Sequence, residues 1–107
     1  MSESRFAVIG DRNTVLAFMV LGAKIYTPEP EKVREAVLKA VKDDVVILFI
    51  TEKMAQSIPD VLKELSKKTF PSVVVIPDAG GSRGMGLEKL NDIIVRAVGS
   101  RLASPEE

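Results

Sequence analysis

Three acidic residues stand where the ligand site of an open α/β sheet would lie. Asp11, Glu52 and Asp78 each come two residues after a run of apolar residues that reads as a buried strand. The carboxyl ends of parallel strands meet at one edge of a sheet, and ligands bind there. Carboxylate oxygens are preferred ligands of Mg²⁺. The same residue types also cap helices and form turns. The sequence therefore leaves open a metal-dependent hydrolase that uses Asp11 and Glu52, and a purely structural role for all three.

The composition removes many other kinds of site. The chain has 107 residues, no cysteine and no histidine, which excludes cysteine nucleophiles, histidine bases and zinc sites built from either residue. The 15 basic residues balance the 15 acidic ones, so net charge predicts no nucleic-acid partner. No apolar run approaches the roughly 20 residues of a membrane span, so we expect no direct membrane insertion. We predict no cofactor and no catalytic residue.

Two further features can be compared with known phosphate chemistry, namely the position of Thr51 and a glycine-rich loop. Thr51 stands where the receiver domain of a response regulator has its phosphoacceptor aspartate, and paired acids after the first strand are also missing, which argues against a receiver. The loop Gly80–Gly86 precedes a predicted helix and could cradle a phosphate. It lacks the Gly-Lys-Ser/Thr end of a P-loop, and a surface loop shaped for a partner is the alternative. A free-standing small-ligand or phosphate-binding signalling domain thus remains the second hypothesis.

Strands and helices alternate along the chain, which predicts an α/β fold. The expected strands are Arg5–Ile9, Ala23–Tyr26, Val45–Ile50 and Ser72–Ile76. Parallel strands require right-handed helical crossovers, so we predict a four-stranded parallel sheet of order 2-1-3-4 with helices on both faces, as in flavodoxin-like folds. We expect a single α/β domain over residues 1–99 and a flexible C-terminal tail over residues 100–107.

The helix ends carry recognisable signals. Asp11 or Asn13 can cap the first helix, and Gly22 is a natural stop for it. Thr27 and Thr51 are predicted to cap the next two helices. Three further expectations concern the remaining helical segments. Leu38 is placed with the apolar side of the second helix, a kink is expected near Ser57, where a second cap precedes Pro59, and the last helix is expected over Leu87–Val98 with Gly99 as its end.

The first helix is unusual because its residues from Val15 to Leu21 are all apolar. A helix on the surface of a sheet needs only one apolar stripe. Either both sides of the segment are covered within the domain, for instance by the last helix, or part of it docks on another protein. In the second case Phe18 and Met19 would be suitable anchors for an interface.

The ordered set of these segments resembles the F-subunit family of rotary V-type and A-type ATP synthases of bacteria and archaea. The resemblance extends over about residues 5 to 102. It is carried by Ala7–Phe18, by Ile50-Thr51-Glu52, by Ile76-Pro77 followed by Gly81–Gly86, and by Ala97-Val98-Gly99. Pro59 and the apolar Met19-Val20-Leu21 depart from the family pattern.

The resemblance implies a non-catalytic component of the central stalk, or rotor. Such a protein docks on the long coiled-coil stalk protein, the D subunit, and helps to couple ion translocation to ATP synthesis or hydrolysis elsewhere in the complex. It would lie on the cytoplasmic side of the cell membrane as a peripheral part of the complex. The Gly80–Gly86 loop and the tail from Ser100 could contact the catalytic head. From the apolar run we expect the docking residues to be Leu16, Met19 and Val20, with Ile93 and Ile94 of the last helix.

Overall fold

The computed structural model describes residues 5–78 together with Asp92, Val95, Arg96 and Gly99. The strands in this part of the chain are β1 (Phe6–Ile9), β2 (Lys24–Tyr26), β3 (Ile47–Thr51) and β4 (Ser72–Ile76). The helices are α1 (Arg12–Leu16), α2 (Val33–Lys42), α3 (Glu52–Ala55) and α4 (Pro59–Leu65), and 3₁₀ turns are formed by Met19–Leu21 and Pro30–Lys32. All strand pairs are parallel and the order is β2-β1-β3-β4, which confirms the predicted α/β sheet.

Strand β3 is the centre of the sheet. It pairs with β1 on one side and β4 on the other, and all of its residues are buried. A parallel strand buried on both faces reads as an unbroken apolar run, which explains Ile47-Leu48-Phe49-Ile50. Side chains alternate between the two faces of the sheet. The chain must therefore provide a cover for each face.

Helices α2, α3 and α4 cover one face. Val33, Val37 and Ala40 of α2 are buried against Leu48 and Ile50 of β3. The spacing of the α2 residues follows the helical repeat, which places them on one stripe. Ala55 of α3, Leu65 of α4 and Ile58 between the two helices complete this side of the core.

The other face is covered by α1 and the 3₁₀ turn that follows it. Val15 and Phe18 are buried there in a cluster with Val8 and Phe49. The rings of Phe18 and Phe49 lie with their centroids 4.8 Å apart and their planes inclined by 48°, within the range of favourable aromatic pairs. The prediction of helical cover on both faces is confirmed.

Several helix ends agree with the sequence signals and others do not. Gly22 ends the first helical segment at φ 71°, a backbone conformation that glycine adopts without steric cost. The predicted break near Ser57 is present between α3 and α4. Ser57 is not a cap, because its hydroxyl donates to the backbone oxygen of Met54 at 2.7 Å. Thr27 is not a cap either, since the chain enters α2 through the 3₁₀ turn that starts after Glu29.

Leu38 differs from what the sequence pattern predicts, and the last predicted helix is described at only a few positions. Leu38, expected on the apolar side of α2, is an exposed large apolar residue, since the buried positions Val33, Val37 and Ala40 leave it on the outward side. In the region predicted as the last helix, Asp92, Val95, Arg96 and Gly99 are helical. The predicted end of this helix at Gly99 stays a prediction, because the neighbouring positions lie outside the described residues.

The contact between Phe18 and Phe49 predicts a large difference between two neighbouring substitutions. We expect Phe18→Ala to lower the free energy of unfolding by about 3–5 kcal/mol, because it removes a fully buried ring from the core. Val20→Ala, whose side chain is 85% exposed, is the matched control and should change stability by less than about 0.5 kcal/mol. Urea unfolding followed by circular dichroism measures both. Equal effects of the two changes would contradict the packing of Phe18 in the core.

Candidate functional site

The carboxyl ends of the strands form a cleft, as expected for a sheet of this type. The cleft has a volume of about 460 Å³. It is lined by Asp11, Thr51, Glu52, Lys53, Met54, Gln56 and Asp78. All three acidic residues singled out from the sequence are therefore near one another. Whether they can do chemistry depends on what their carboxylates already bind.

The carboxylate of Asp11 caps α1. One of its oxygens accepts a hydrogen bond from the backbone N–H of Thr14 at 3.1 Å, and the other accepts from the Thr14 hydroxyl at 2.5 Å. Asp11 itself has extended backbone angles, as residues at this position usually do. The predicted cap is confirmed for Asp11, and both of its oxygens are used for it.

Asp78, and not Thr51, caps α3. Thr51 immediately precedes α3, but its side chain makes no capping hydrogen bond. The backbone N–H of Lys53 donates instead to the Asp78 carboxylate, across a distance of 3.3 Å. The prediction that Thr51 caps this helix is therefore wrong. No local sequence signal reveals the cap that forms, because Asp78 lies 25 positions further along the chain.

The Thr51 hydroxyl is buried without a hydrogen-bond partner among the described residues. The Thr51 side chain lies against the backbone of Gly10, where an added Cβ would come within 2.5 Å of the Thr51 methyl carbon. Gly10 is thus required for the close approach of β1 and β3 at this edge. Thr51 is 1% exposed. Its hydroxyl is therefore not accessible to a phosphoryl donor in this structure.

The described residues of the cleft form neither a metal-ligand cluster nor a cationic phosphate site. No group of three potential metal ligands comes together within the described part of the chain, so Asp11, Glu52 and Asp78 do not form the magnesium cluster that the sequence left open. Three carboxylates and one ammonium group line the cleft, a balance that repels phosphate. The glycine loop Gly80–Gly86 lies outside the described residues.

The second candidate site is an exposed apolar surface on the first helical segment. Leu16, Met19 and Val20, called here the outer face, are 54%, 57% and 85% exposed. Phe18, between them in the sequence, is fully buried. The apolar run is therefore split into a core side and a solvent side. The expectation that Phe18 is an interface anchor together with Met19 is corrected, because the Phe18 ring belongs to the core.

The winding of the backbone explains this division. Backbone N–H groups of Ala17, Phe18, Leu21 and Gly22 each donate to the oxygen three residues earlier. In a 3₁₀ winding, residues three apart eclipse one another. Phe18 and Leu21 therefore point together towards the sheet, and Leu16 and Met19 point together away from it. Ile93 and Ile94, the other two predicted docking residues, lie outside the described residues.

Edge strand β2 is held in place by polar contacts to the end of α2. The Lys24 ammonium group donates to Asp43 at 2.8 Å, and the Tyr26 hydroxyl donates to the same carboxylate oxygen at 3.2 Å. The hydrogen bond from Lys24 is the main reason that the pKa of Asp43 is lower than its ordinary value. These contacts hold the segment that follows the outer face, so the face is presented on an anchored part of the fold.

Comparison with known proteins connects this fold to one protein family. The sequence pattern of the ATP synthase (F/14-kDa) subunit matches residues 6–94. The F subunit of the V-type ATP synthase of Fusobacterium nucleatum is 33% identical over 99 residues, covering 92% of this chain and 94% of the relative. The F subunit of the A-type ATP synthase of Thermococcus onnurineus is 35% identical over 107 aligned residues, which cover 92% of this chain and 97% of the relative. The F subunit of the A-type ATP synthase of Methanothermobacter thermautotrophicus is 31% identical, and the match covers 91% of this chain and 94% of the relative.

In the described part of the chain, no helix is both long enough and apolar enough to cross a membrane.

The buried hydroxyl of Thr51 gives a test of whether the cleft holds a polar ligand. We expect Thr51→Val to raise the free energy of unfolding by about 1 kcal/mol, because it replaces an unsatisfied buried hydroxyl with a methyl group of similar shape. Thr51→Ser keeps the hydroxyl and removes the methyl group, and should destabilise by about 1 kcal/mol. Thermal unfolding of the purified proteins measures both. A destabilising effect of Thr51→Val would mean that the hydroxyl has a partner in solution.

Proposed function

This chain belongs to the family of the ATP synthase (F/14-kDa) subunit, and on that premise we propose that it is a non-catalytic component of the central stalk. In this role it docks on the coiled-coil D subunit and turns with it as part of the rotor. It helps to couple ion translocation to the synthesis or hydrolysis of ATP by other subunits. It is a peripheral part of the complex, on the cytoplasmic side of the membrane.

The outer face is the observation that carries the docking proposal. Leu16, Met19 and Val20 expose most of their side chains although they lie beside a well-packed core. Burying these side chains on a partner would contribute about 4 kcal/mol, if full burial of one such side chain is worth about 1.5–3 kcal/mol. A coiled-coil helix offers an apolar stripe of matching chemistry. We also assign Ile93 and Ile94, which lie outside the described residues, to the proposed surface.

The state of the carboxylates supports a non-catalytic role. Asp11 and Asp78 accept hydrogen bonds from backbone N–H groups at helix starts. A carboxylate in this position serves the fold and is a poor candidate for a general base that must exchange a proton in each turnover. The acidic lining of the cleft also argues against the alternative of a free-standing phosphate-binding domain, which would need cations where this cleft has Glu52 and Asp78.

The docking proposal predicts that charge on the outer face prevents assembly. Met19→Glu combined with Val20→Glu should weaken binding to the purified D subunit by about 100-fold or more, because two ionised groups would be buried in an apolar contact. Isothermal titration calorimetry with the full-length chain measures the affinity. Leu38→Glu is the matched control, since Leu38 is 53% exposed on the opposite face of the sheet and should bind like the original chain. Unchanged binding of a folded Met19→Glu, Val20→Glu variant would refute the placement.

The contact with the catalytic head is a separate proposal. We assign it to the Gly80–Gly86 loop and to residues 100–107, which lie outside the described residues, and propose that it modulates hydrolysis. Removal of residues 100–107 should leave binding to the D subunit intact and change the ATPase rate of the assembled complex. Steady-state ATPase measurements on complexes with and without these residues test this. An unchanged rate in a fully assembled complex would count against the contact.

A further inference from the structure

The segment that forms the outer face carries positive charge and no negative charge. From Arg12 to Pro28 the sequence contains Arg12 and Lys24 but no aspartate or glutamate. The whole chain has equal numbers of basic and acidic residues, so this is a local imbalance. It lies on the same segment as Leu16, Met19 and Val20, and a partner that covers the apolar residues also meets the charge.

The two basic residues of this segment differ in their partners. Lys24 is engaged with Asp43 at 2.8 Å. The Arg12 side chain is exposed and makes no hydrogen bond or ion pair in the described part of the chain. The neighbouring acid, Asp11, has both carboxylate oxygens occupied by Thr14. The acid nearest to Arg12 along the chain, Asp11, is thus already hydrogen-bonded to Thr14 through both carboxylate oxygens.

Arg12 also occupies a position where it does not help the fold. It is the first residue of α1, whose first turn contains no acidic residue. The positive end of the helix dipole favours acids at such a position and disfavours a cation. Neither helix stability nor a partner within the described chain accounts for an arginine here.

The geometry of α1 places Arg12 beside the outer face. Arg12 and Leu16 are four residues apart in the same helix, and side chains at this spacing are neighbours on one side. Thr14 and Val15 form the buried side, so Arg12 and Leu16 share the solvent side. Leu16 in turn eclipses Met19 across the 3₁₀ winding. The result is a surface with an apolar body and a basic end.

We infer that Arg12 forms an intermolecular salt bridge with a carboxylate that flanks the apolar stripe of the coiled-coil partner, and that this contact fixes the position of the chain along the coiled coil. This inference rests on the docking role proposed above and adds a charged determinant to it. Coiled-coil helices carry glutamate at positions that flank their apolar seam. The planar guanidinium group suits bidentate pairing with such a carboxylate.

Arg12→Glu and Arg12→Lys test the salt bridge in binding to the purified D subunit. The titrations are done at ionic strengths of about 0.1 M and about 1 M. The Debye length is about 10 Å in the first condition and about 3 Å in the second, so a salt bridge at an accessible surface is screened in the second. We expect Arg12→Glu to weaken binding about tenfold or more at low ionic strength, since it opposes two like charges. The loss should shrink at high ionic strength, and Arg12→Lys should lose less affinity than Arg12→Glu, because lysine keeps the charge without the planar bidentate group. Lys32→Glu, an exposed charge reversal at the start of α2, should bind like the original chain.

The possible results separate this inference from the docking proposal. If Arg12→Glu binds like the original chain while Met19→Glu, Val20→Glu does not, the docking face stands and the salt bridge is refuted. If neither variant loses affinity, docking through this face is itself refuted. A loss that is equal for Arg12→Glu and Arg12→Lys and insensitive to salt would overturn the salt bridge in favour of a packing contact. Sedimentation velocity of the chain alone gives a further test. If the chain forms a dimer and Arg12→Glu dissociates it, the inference is also overturned, because the face would then join two copies of this chain.

Discussion

The packing of Phe18 against Phe49 determines which residues of the first helical segment face solvent. Phe49 lies in a strand that is buried on both faces, so its ring requires cover from the segment after β1. Phe18 supplies that cover with a ring centroid 4.8 Å away. Once Phe18 is fixed in the core, the 3₁₀ winding directs Met19 and Leu16 outward. The outer face is thus a geometric consequence of one core contact and of the tighter winding that accommodates it.

The polar edge of the sheet is organised by the helix starts that lie there. Helices α1 and α3 both start at this edge, and the first backbone N–H groups of an α-helix lack a partner within the helix. Asp11 and Asp78 accept hydrogen bonds from these groups. Here they are needed to close the helix starts, which favours an assembly role over a catalytic one.

The parts of the structure that the sequence predicted well are those determined by unbroken patterns. The apolar runs ending at Ile9, Ile50 and Ile76 gave the strands, and their alternation with helices gave the order of the sheet. The sequence predicted less well which residues of an entirely apolar run belong to the core. From Val15 to Leu21 no polar residue marks the solvent side. Residues three and four apart share a side of an α-helix, and Leu16, Met19 and Val20, grouped on that basis, are exposed. Only Phe18, expected to be an anchor together with Met19, lies in the core. The capping of α3 by Asp78 was equally hidden, because it depends on the meeting of two strand ends that are far apart in the chain.

The proposed docking surface has a mechanical property that a loop would lack. The outer face lies between a capped helix start at Asp11 and a glycine stop at Gly22. The strand that follows is tied to α2 through the contacts of Lys24 and Tyr26 with Asp43. A protein that turns with a coiled coil must transmit torque without rearranging at the contact, and a surface backed by the core meets this requirement. A basic residue at one end of such a surface would fix its position along the partner. Apolar contacts alone allow the surface to slide along an apolar stripe, whereas a single charge pair forms in only one register.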